Sequence, residues 1–417
     1  MSSSDRKIDP SDFVHHAPNL RVMPDLTSFV FAGVSEETPT PPPYVAPVGP
    51  RAITEATINE GAGDPPKENA LRAIIEARAF NYAIAPAKPH PLLSLGGKVI
   101  STPGNLTNIQ APAKAGKSAV IGAIIAAVWN GNRQGADTLG FAAENRNGKA
   151  LLHIDTEQSR YDHDALDRRA MKRARVTEPP AGFHSYCLTD LSTQDRLESL
   201  KLLLPDLAKE HGGIYMVIID GLADLCMDPN DPAESFALVG DLHALAITYD
   251  CAIVTVLHEN PGSTEGKMRG HLGSQLERKA ETPLRLAKDA ASGVTTIWSD
   301  RARHCHLPRE EGACFAWSNE AGMHISAGTA REIKASVRQA KFFQEAKAAF
   351  GPNASLGYSE LAKRITEIAK VTIKTAEKRI NTYQVEGVAV KNLEGKYLLK
   401  VPLPSNPTTT LHRPAEG

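Results

Sequence analysis

Three consecutive residues, Gly116, Lys117 and Ser118, have the types and spacing of the end of a phosphate-binding loop. At the start of a helix, the lysine can reach the β- and γ-phosphates of a nucleotide, and the serine hydroxyl can bind Mg²⁺. The apolar stretch "LTNIQA" comes before the loop and the apolar run 119–129 follows it, which predicts a strand–loop–helix unit. The residues expected at the nucleotide are Ala111, Pro112, Ala113, Lys114, Ala115, Gly116, Lys117, Ser118 and Ala119.

Ala111 stands where such a loop usually begins with glycine. It adds one methyl group at the entrance of the turn, and Pro112 stiffens the turn, so we expect the loop to tolerate it. Lys114 adds a second cation inside the loop. The alternative interpretation is a Gly-Lys-Ser turn that only starts a core helix.

Two carboxylates follow apolar stretches and could complete an ATPase. Glu157 lies two residues beyond "ALLHID" and could polarise the attacking water as a general base. Asp220 ends "MVIID" and, with Ser118, could hold Mg²⁺. Glu157 could instead cap the next helix, and Asp220 could merely end its strand. The predicted cofactors are ATP and Mg²⁺.

His258 ends the apolar stretch "AIVTVLH" and could contact the γ-phosphate and detect its loss. The segment after it, "ENPGSTEGKMRGHLGSQLE", is rich in glycine and serine and contains Lys267 and Arg269. We expect this segment to be a DNA-contacting loop coupled to the nucleotide. A structural histidine followed by a solvated connection is the alternative.

Arg301 and Arg303 follow the stretch "VTTIW". Because side chains alternate along a strand, residues two apart would face the same way. An arginine finger that reaches a neighbouring subunit needs such a placement. A pair of surface arginines is the alternative.

The elements that must position these residues form a strand–helix alternation from Leu92 to about Ser326. Six short apolar stretches predict strands at 106–111, 150–155, 216–220, 252–258, 283–287 and 294–298. Several are uninterrupted by polar residues, as in buried parallel strands. The predicted fold class is therefore α/β, with a mostly parallel sheet and helices on both faces.

Composition limits the function classes. The chain has 417 residues and a net charge of -1, so any surface for nucleic acid must be local. The longest apolar run is too short for a bilayer span, and the first thirty residues lack an apolar signal core. Five cysteines without a C-x-x-C pair fit a reduced cytoplasm. His304, Cys305 and His306 are adjacent and cannot converge on one tetrahedral ion, which disfavours zinc there.

The chain divides into five predicted regions. Residues 1–66, with "TPTPPPYVAPVGP", indicate a disordered tail, and 67–91 a helix and linker. The helix, expected over 68–84, could pack on its own core or on another subunit. An ATPase domain is predicted at 92–328, a C-terminal domain at 331–402 and a disordered tail at 403–417.

The C-terminal region is basic. Residues 331–400 contain 14 lysines and arginines against 7 glutamates and no aspartate. Three helical patterns followed by a hairpin around Glu394-Gly395 predict a winged helix. Its third helix and wing would bind duplex DNA through Lys374, Lys378, Arg379, Lys391 and Lys396. Use of the domain for protein contacts is the alternative.

The loop, Glu157, Asp220, His258 and Arg301-x-Arg303, in this order, resemble the RecA-type ATPases. The spacing and the segment "VLHENPG…MRGHLGSQLE" are most similar to the plasmid RepA-like hexameric helicases and their relatives in mobile elements. The resemblance implies that Glu157 is the catalytic base, that His258 links the γ-phosphate to the DNA loop, and that an arginine acts across a ring. Arg301 or Arg303 takes that last role, with Arg278 and Arg285 as further candidates.

The resemblance implies a ring-forming, hexameric helicase of a plasmid or mobile element that binds single-stranded DNA. Duplex DNA is expected at the predicted winged helix, which is not a feature of the small plasmid enzymes. A replication initiator or a primase is an expected partner. Three other functions stay open at this stage: an ATP-dependent regulatory switch bound to DNA, a recombination or repair mediator that forms filaments, and a small-molecule kinase.

Overall fold

The computed structural model describes residues 65–131, 135–260 and 268–400. The predicted tails, except for residues 65 and 66, and the loop residues 261–267 with Lys267 lie outside these ranges. The side chains are described from residue 68 onward. Among the described helices, none is both long and apolar enough to cross a bilayer.

The described chain contains the following strands: β1 (Leu93–Leu95), β2 (Lys98–Ser101), β3 (Asn105–Ala111), β4 (Phe141–Ala143), β5 (Ala150–Asp155), β6 (Phe183–Cys187), β7 (Ile214–Asp220), β8 (Ala252–His258), β9 (Thr282–Lys288), β10 (Thr295–Trp298), β11 (Ala313–Ser318), β12 (Met323–Thr329), β13 (Ser355–Leu356), β14 (Ala389–Lys391) and β15 (Tyr397–Leu399). Its helices are α1 (Pro65–Glu76), α2 (Lys117–Asn130), α3 (Arg160–Ala174), α4 (Thr193–Glu210), α5 (Pro232–Thr248), α6 (Gly270–Lys279), α7 (Ala330–Phe350), α8 (Tyr358–Ala369) and α9 (Ile373–Val385).

A nine-stranded sheet dominates the fold, with strand order β12-β11-β10-β9-β3-β8-β7-β5-β6. The pairs from β9 to β6 are all parallel. The carboxyl ends of these six strands therefore lie along one edge of the sheet, and their amino ends lie along the other. The predicted α/β class with a mostly parallel sheet is confirmed.

Burial on both faces explains the uninterrupted apolar stretches. Along β7, Met216 and Ile218 pack in the core on one face, while Val217 and Ile219 pack in the core on the other. Helices α2 and α3 cover the first face, and α4, α5 and α6 cover the second. A strand buried on both faces has no solvent side, so the alternation of polar residues disappears.

The other end of the sheet is antiparallel. Strands β10, β11 and β12 extend it beyond β9, each running opposite to its neighbour. Strands β11 and β12 were not predicted, although Phe315 of β11 packs in the first core and lies next to Gly116 of the phosphate loop. A second small sheet, with order β2-β1-β4, lies over the same core.

The N-terminal helix differs from its prediction. Helix α1 ends at Glu76 instead of reaching residue 84, and Leu71, Ile74 and Ile75 are exposed. Most helix stability in proteins comes from packing. A short helix without a buried apolar face therefore lacks the contacts that would stabilise further turns. Among the described residues this helix does not pack on the core.

Residues 330–400 form a separate layer of three helices, α7, α8 and α9, and a three-stranded antiparallel sheet with order β13-β15-β14. Phe350, Leu361, Ile365, Ile380 and Tyr383 lie in its own apolar core. The predicted hairpin is present as β14 and β15, with Gly395 at φ 78° in the turn. Helix α7 starts directly after β12, so the two regions are joined without a linker.

Candidate nucleotide site

The turn between β3 and α2 holds the predicted loop. Gly116, the N-cap of α2, has φ 96° and ψ 25°, in the left-handed region that side chains disfavour. A Cβ at this position would lie 2.8 Å from Cε2 of Phe315. Glycine is therefore needed here both for its backbone angles and for space. With this turn, the N-terminus of α2 is available to an anion.

Ala111 is the last residue of β3 and pairs in register with His258 of β8. It is fully buried, and its carbonyl accepts the Glu259 N–H at 3.1 Å. A residue in a strand does not need the backbone freedom of glycine, so its methyl group is accommodated in the core. This geometry explains why alanine can occupy the entrance of the loop.

Lys117, His258 and Glu157 form one chain of contacts. The Lys117 Nζ donates to His258 Nδ1 at 3.0 Å, and His258 Nε2 lies 3.1 Å from Glu157 Oε2. Lysine can only donate, so Nδ1 accepts and Nε2 carries the proton that it donates to the carboxylate. A single imidazole therefore links the predicted base to the phosphate-loop lysine.

Among these three contacting residues, burial and neighbouring charges have opposite effects on the pKa of Lys117. Burial lowers the pKa of Lys117, while the nearby carboxylates of Glu157, Asp220 and Glu259 act in the other direction. The hydrogen bond from His258 holds the pKa of Glu157 below its ordinary value. Glu157 is therefore ionised near neutral pH, as a general base must be.

Asp220 ends β7 and is almost completely buried. Burial, followed by the charges of Asp155 and Glu157, raises its pKa to about 7. The carboxylates of Asp155, Glu157 and Asp220 lie close together beside Lys117, and this negative charge favours binding of a further cation. Because Ser118 lines the same cavity, Ser118 and Asp220 fit a Mg²⁺ ion, which prefers oxygen ligands.

Asp155, which the sequence analysis passed over, holds the loop that carries Glu157. Its Oδ1 accepts the backbone N–H groups of Glu157 and Gln158 at 3.0 and 2.9 Å. The Gln158 amide nitrogen donates both to Asp155 Oδ2, at 2.8 Å, and to Asp220 Oδ2, at 3.0 Å. The position of Asp155 at the end of β5 was the signal available in the sequence.

A cavity of about 440 Å³ opens in front of the loop. Beyond Lys117 and Glu157 it continues between α3 and the β11–β12 hairpin, where Trp317, His324, Lys288 and Arg169 line it. The Trp317 side chain is half exposed and offers a flat apolar surface. Burial, together with the charges of Lys288 and nearby arginines, lowers the pKa of His324 to about 4 and keeps it neutral.

These cavity residues were missed in the sequence. Lys288 ends β9, a predicted strand, so its place at the carboxyl edge could have been inferred. Trp317 and His324 belong to the unpredicted hairpin, and no motif marks them. Arg173 fixes the hairpin by donating to the carbonyl oxygens of Asp137 and His324 at 2.6 and 2.7 Å.

The loop after His258 begins and ends beside the nucleotide site. Its ends meet at a bridge between Glu259 and Met268, and the Arg269 N–H donates to the His258 carbonyl at 3.1 Å. Arg269 is exposed and precedes α6. A shift of His258 would therefore act on both ends of this loop.

The predicted finger arginines do not lie at the carboxyl edge. Strand β10 runs antiparallel to β9, so Arg301 and Arg303 follow it at the amino edge of the parallel strands. Both residues lie beyond the end of β10, so the strand alternation assumed for them does not apply. Arg301 pairs with Glu277, and Arg303 contacts the Asn105 side chain and the Lys279 carbonyl oxygen.

The two other arginine candidates also have partners in their own chain. Arg278 donates to Gln275 at 2.6 Å. Arg285 pairs with Asp300 at 3.3 Å and lies over the Trp298 ring.

The basic residues of the C-terminal layer divide into two groups. Lys374 and Lys378 on α9, and Lys391 and Lys396 on the hairpin, are exposed. Arg379 instead pairs with Glu345 of α7, which also accepts a hydrogen bond from the Tyr383 hydroxyl. The Arg379 side chain therefore ties α9 to α7, and its contact with DNA stays a prediction.

Comparison with known proteins supports a nucleotide-binding domain. Residues 82–263 match a family model described as an AAA domain. A search of curated proteins finds no match. Together with the geometry of the loop and the strand ends, this match supports a P-loop ATPase-type domain in this part of the chain.

Comparison with solved structures gives a distant similarity. The crystal structure of the RadB recombinase matches with 17% sequence identity and a TM-score of 0.37. The match covers 55% of this chain and 93% of that chain.

Proposed function

We propose that this chain is an ATP-hydrolysing, DNA-binding motor of the RecA type, and specifically a ring-forming helicase similar to the plasmid RepA-like enzymes. The contact chain Lys117–His258–Glu157 is the observation that carries the proposal. It joins the predicted phosphate ligand, γ-phosphate sensor and catalytic base through two direct contacts, of 3.0 and 3.1 Å.

In this proposal the loop and α2 bind the triphosphate, and Lys117 leaves His258 for the β- and γ-phosphates. Glu157, ionised and held in place through Asp155, orients and deprotonates the attacking water. Mg²⁺ bound through Ser118 and Asp220 would neutralise phosphate charge. The adenine ring of the nucleotide would stack on Trp317, at the far end of the cavity.

DNA coupling would run through His258. Loss of the γ-phosphate would let Lys117 rejoin His258, and this movement would reach the loop through Glu259 and Arg269. Single-stranded DNA would bind this loop through Arg269 and Lys267, which lies outside the described residues.

Other parts of the chain would serve ring assembly, duplex DNA and partner proteins. Arg301 and Arg303 lie at the amino edge, so in a ring they would serve the nucleotide of a neighbouring subunit. The C-terminal layer would act as a winged helix on duplex DNA through Lys374, Lys378, Lys391 and Lys396. A replication initiator or a primase would be the partner at an origin.

One observation favours a second candidate, an ATP-dependent regulatory switch. His324 and Met323 of β12 line the nucleotide cavity, and β12 runs directly into α7 of the basic layer. Nucleotide binding could therefore reposition the DNA-binding layer without unwinding. Slow hydrolysis that does not respond to DNA would distinguish this candidate from the motor.

The test compares Glu157→Gln with the wild type and with Glu277→Gln, a matched change at the amino edge. We expect Glu157→Gln to keep ATP binding while its turnover falls by about 100-fold or more, as for loss of a general base. Glu277→Gln should hydrolyse ATP in the absence of DNA at a rate close to the wild-type rate. Unchanged turnover in Glu157→Gln would refute the assignment of Glu157 as the base.

A further inference from the structure

We propose that His153, His163 and Asp167 form a buried site for a divalent transition-metal ion, with Zn²⁺ the best match to the ligand types. The three residues come from β5 and α3, on the face of the sheet behind the loop that carries Glu157. The site is separate from the nucleotide cavity described above, whose lining does not include these three residues among those described.

The ligand atoms are already close together. Asp167 Oδ1 lies 3.6 Å from His153 Nδ1, and Asp167 Oδ2 lies 3.8 Å from His163 Nε2. Nitrogen and oxygen ligands about 2.1 Å from a tetrahedral zinc are about 3.4 Å apart, so small side-chain rotations suffice. His153, Asp155 and His163 also each place a ligand atom within 4.8 Å of the other two.

A second carboxylate orients one of the ligands. Asp155 Oδ2 lies 3.1 Å from His163 Nδ1, so it can accept the Nδ1 proton and leave Nε2 free to bind a cation. Metal-binding histidines almost always donate their second ring nitrogen to such a partner. Asp155 is saturated by its other hydrogen bonds, which suits this outer role.

The cluster also contains a buried atom without a hydrogen-bond partner. Asp167 Oδ1, one of the proposed ligand atoms, is buried and has no hydrogen-bond partner among the described residues. Unsatisfied buried polar atoms usually indicate a water or an ion. Ser185 Oγ lies 2.8 Å from His163 Nε2 and 3.3 Å from His153 Nδ1, so it is close enough to both nitrogens to be a fourth ligand.

An ion bound to this cluster would also affect the loop that carries Glu157. It would fix His163, which holds Asp155, which in turn holds the backbone of Glu157 and Gln158. This consequence for catalysis rests on the proposed function, whereas the binding of the ion does not.

The test measures metal binding by the full-length protein without nucleotide. Protein stripped with a chelator and kept in excess Mg²⁺ is titrated with Zn²⁺, desalted and analysed for zinc by mass spectrometry. We expect about one zinc per chain, and at least a tenfold weaker affinity in His153→Gln and Asp167→Asn. His184→Gln is the matched control, because His184 pairs with His211 at 2.8 Å, outside the cluster.

Two further measurements on the wild-type protein do not depend on the folding of variants. The bound zinc should show two imidazole ligands by X-ray absorption, and Zn²⁺ should raise the melting temperature because it binds the folded state. No zinc uptake, coordination by oxygen alone, or equal affinity in His153→Gln would overturn the proposal and leave a hydrogen-bonded network without an ion. ATP hydrolysis is measured separately, so either proposal can fail alone.

Discussion

Charged residues at the two edges of the parallel sheet have different kinds of contact partners. At the carboxyl edge, His258 at the end of β8 contacts both Lys117, the first residue of α2, and Glu157, two residues beyond β5. At the amino edge, Arg301 and Arg303 are held by groups of their own chain. The difference shows that the direction of a strand decides at which edge of the sheet the residues after it lie. The predictions below test how far this distinction holds.

The largest effect is expected at the N-terminus of α2. Gly116→Ala should abolish measurable ATP binding, a loss of about 100-fold or more, or about 2.7 kcal/mol. The added methyl group meets Phe315 and disfavours the left-handed backbone. The measurement is titration with a fluorescent ATP analogue.

Gly131→Ala is the control for that experiment. Gly131 also has a positive φ, 52°, but a Cβ there would meet nothing within 4 Å. This variant should lose about 1 kcal/mol of stability and keep its ATP affinity. Equal loss of affinity in both variants would mean that the effect comes from the helix and not from the loop.

Magnesium affinity should depend on pH at the carboxyl edge. The pKa of Asp220 is raised to about 7 by burial and by neighbouring carboxylates, so Mg²⁺ must compete with a proton. We expect affinity to fall by up to about tenfold for each pH unit below 7 and to level off above it. Calorimetric titration with Mg²⁺ at several pH values measures this, and Asp220→Asn should remove the dependence.

The same pKa predicts a stability change in Mg²⁺-free protein. The folded chain binds this proton more tightly than the unfolded chain, whose aspartate has the ordinary value of 3.8. This contribution to the free energy of unfolding is fully present below pH 3.8 and is lost as the pH rises through 7. Asp220→Asn should show a weaker fall over that window in urea unfolding; an identical fall would contradict the shift.

A paired substitution compares the two edges directly. Lys288→Ala removes a cation from the nucleotide cavity and should weaken ATP binding by about tenfold, or about 1.4 kcal/mol. Arg303→Ala should leave ATP binding unchanged and lower turnover only at protein concentrations where rings form. Weaker ATP binding by dilute Arg303→Ala would show that this arginine serves its own nucleotide.

The smallest effects are expected in the basic C-terminal layer. Lys378→Ala should lower the slope of log affinity for duplex DNA against log salt by about one unit, without loss of stability. Arg379→Ala should instead lower stability by about 1 kcal/mol, because it breaks the partly buried pair with Glu345. The reverse pattern would place Arg379 at the DNA.

Much of the fold and the centre of the site followed from the sequence. Strands such as β5 and β8 match their predicted bounds, because burial on both faces leaves an unmistakable apolar stretch. Lys117 was predicted as a site residue from the Gly-Lys-Ser end of the loop, and His258 from its position at the end of an apolar stretch. Ala111 was expected to be tolerated, and its strand conformation gives the reason.

The parts that the sequence did not reveal depend on tertiary pairing. The direction of β10 decides where Arg301 and Arg303 lie, and no local pattern encodes it. Trp317 and His324 come to the cavity on a hairpin whose strands were not recognised. His163 and Asp167 are four residues apart on α3, as metal ligands on a helix can be, but His153 comes from a strand, so no single motif marks the cluster.

The central claim is that the nucleotide site and DNA are coupled through His258. The most direct test is steady-state ATP hydrolysis by the full-length protein with and without single-stranded DNA, with Lys117→Ala as the blank. The account predicts stimulation of about tenfold or more, equivalent to about 1.4 kcal/mol of barrier, and its loss in His258→Asn. Hydrolysis above the blank that ignores DNA, or stimulation that survives in His258→Asn, would contradict it.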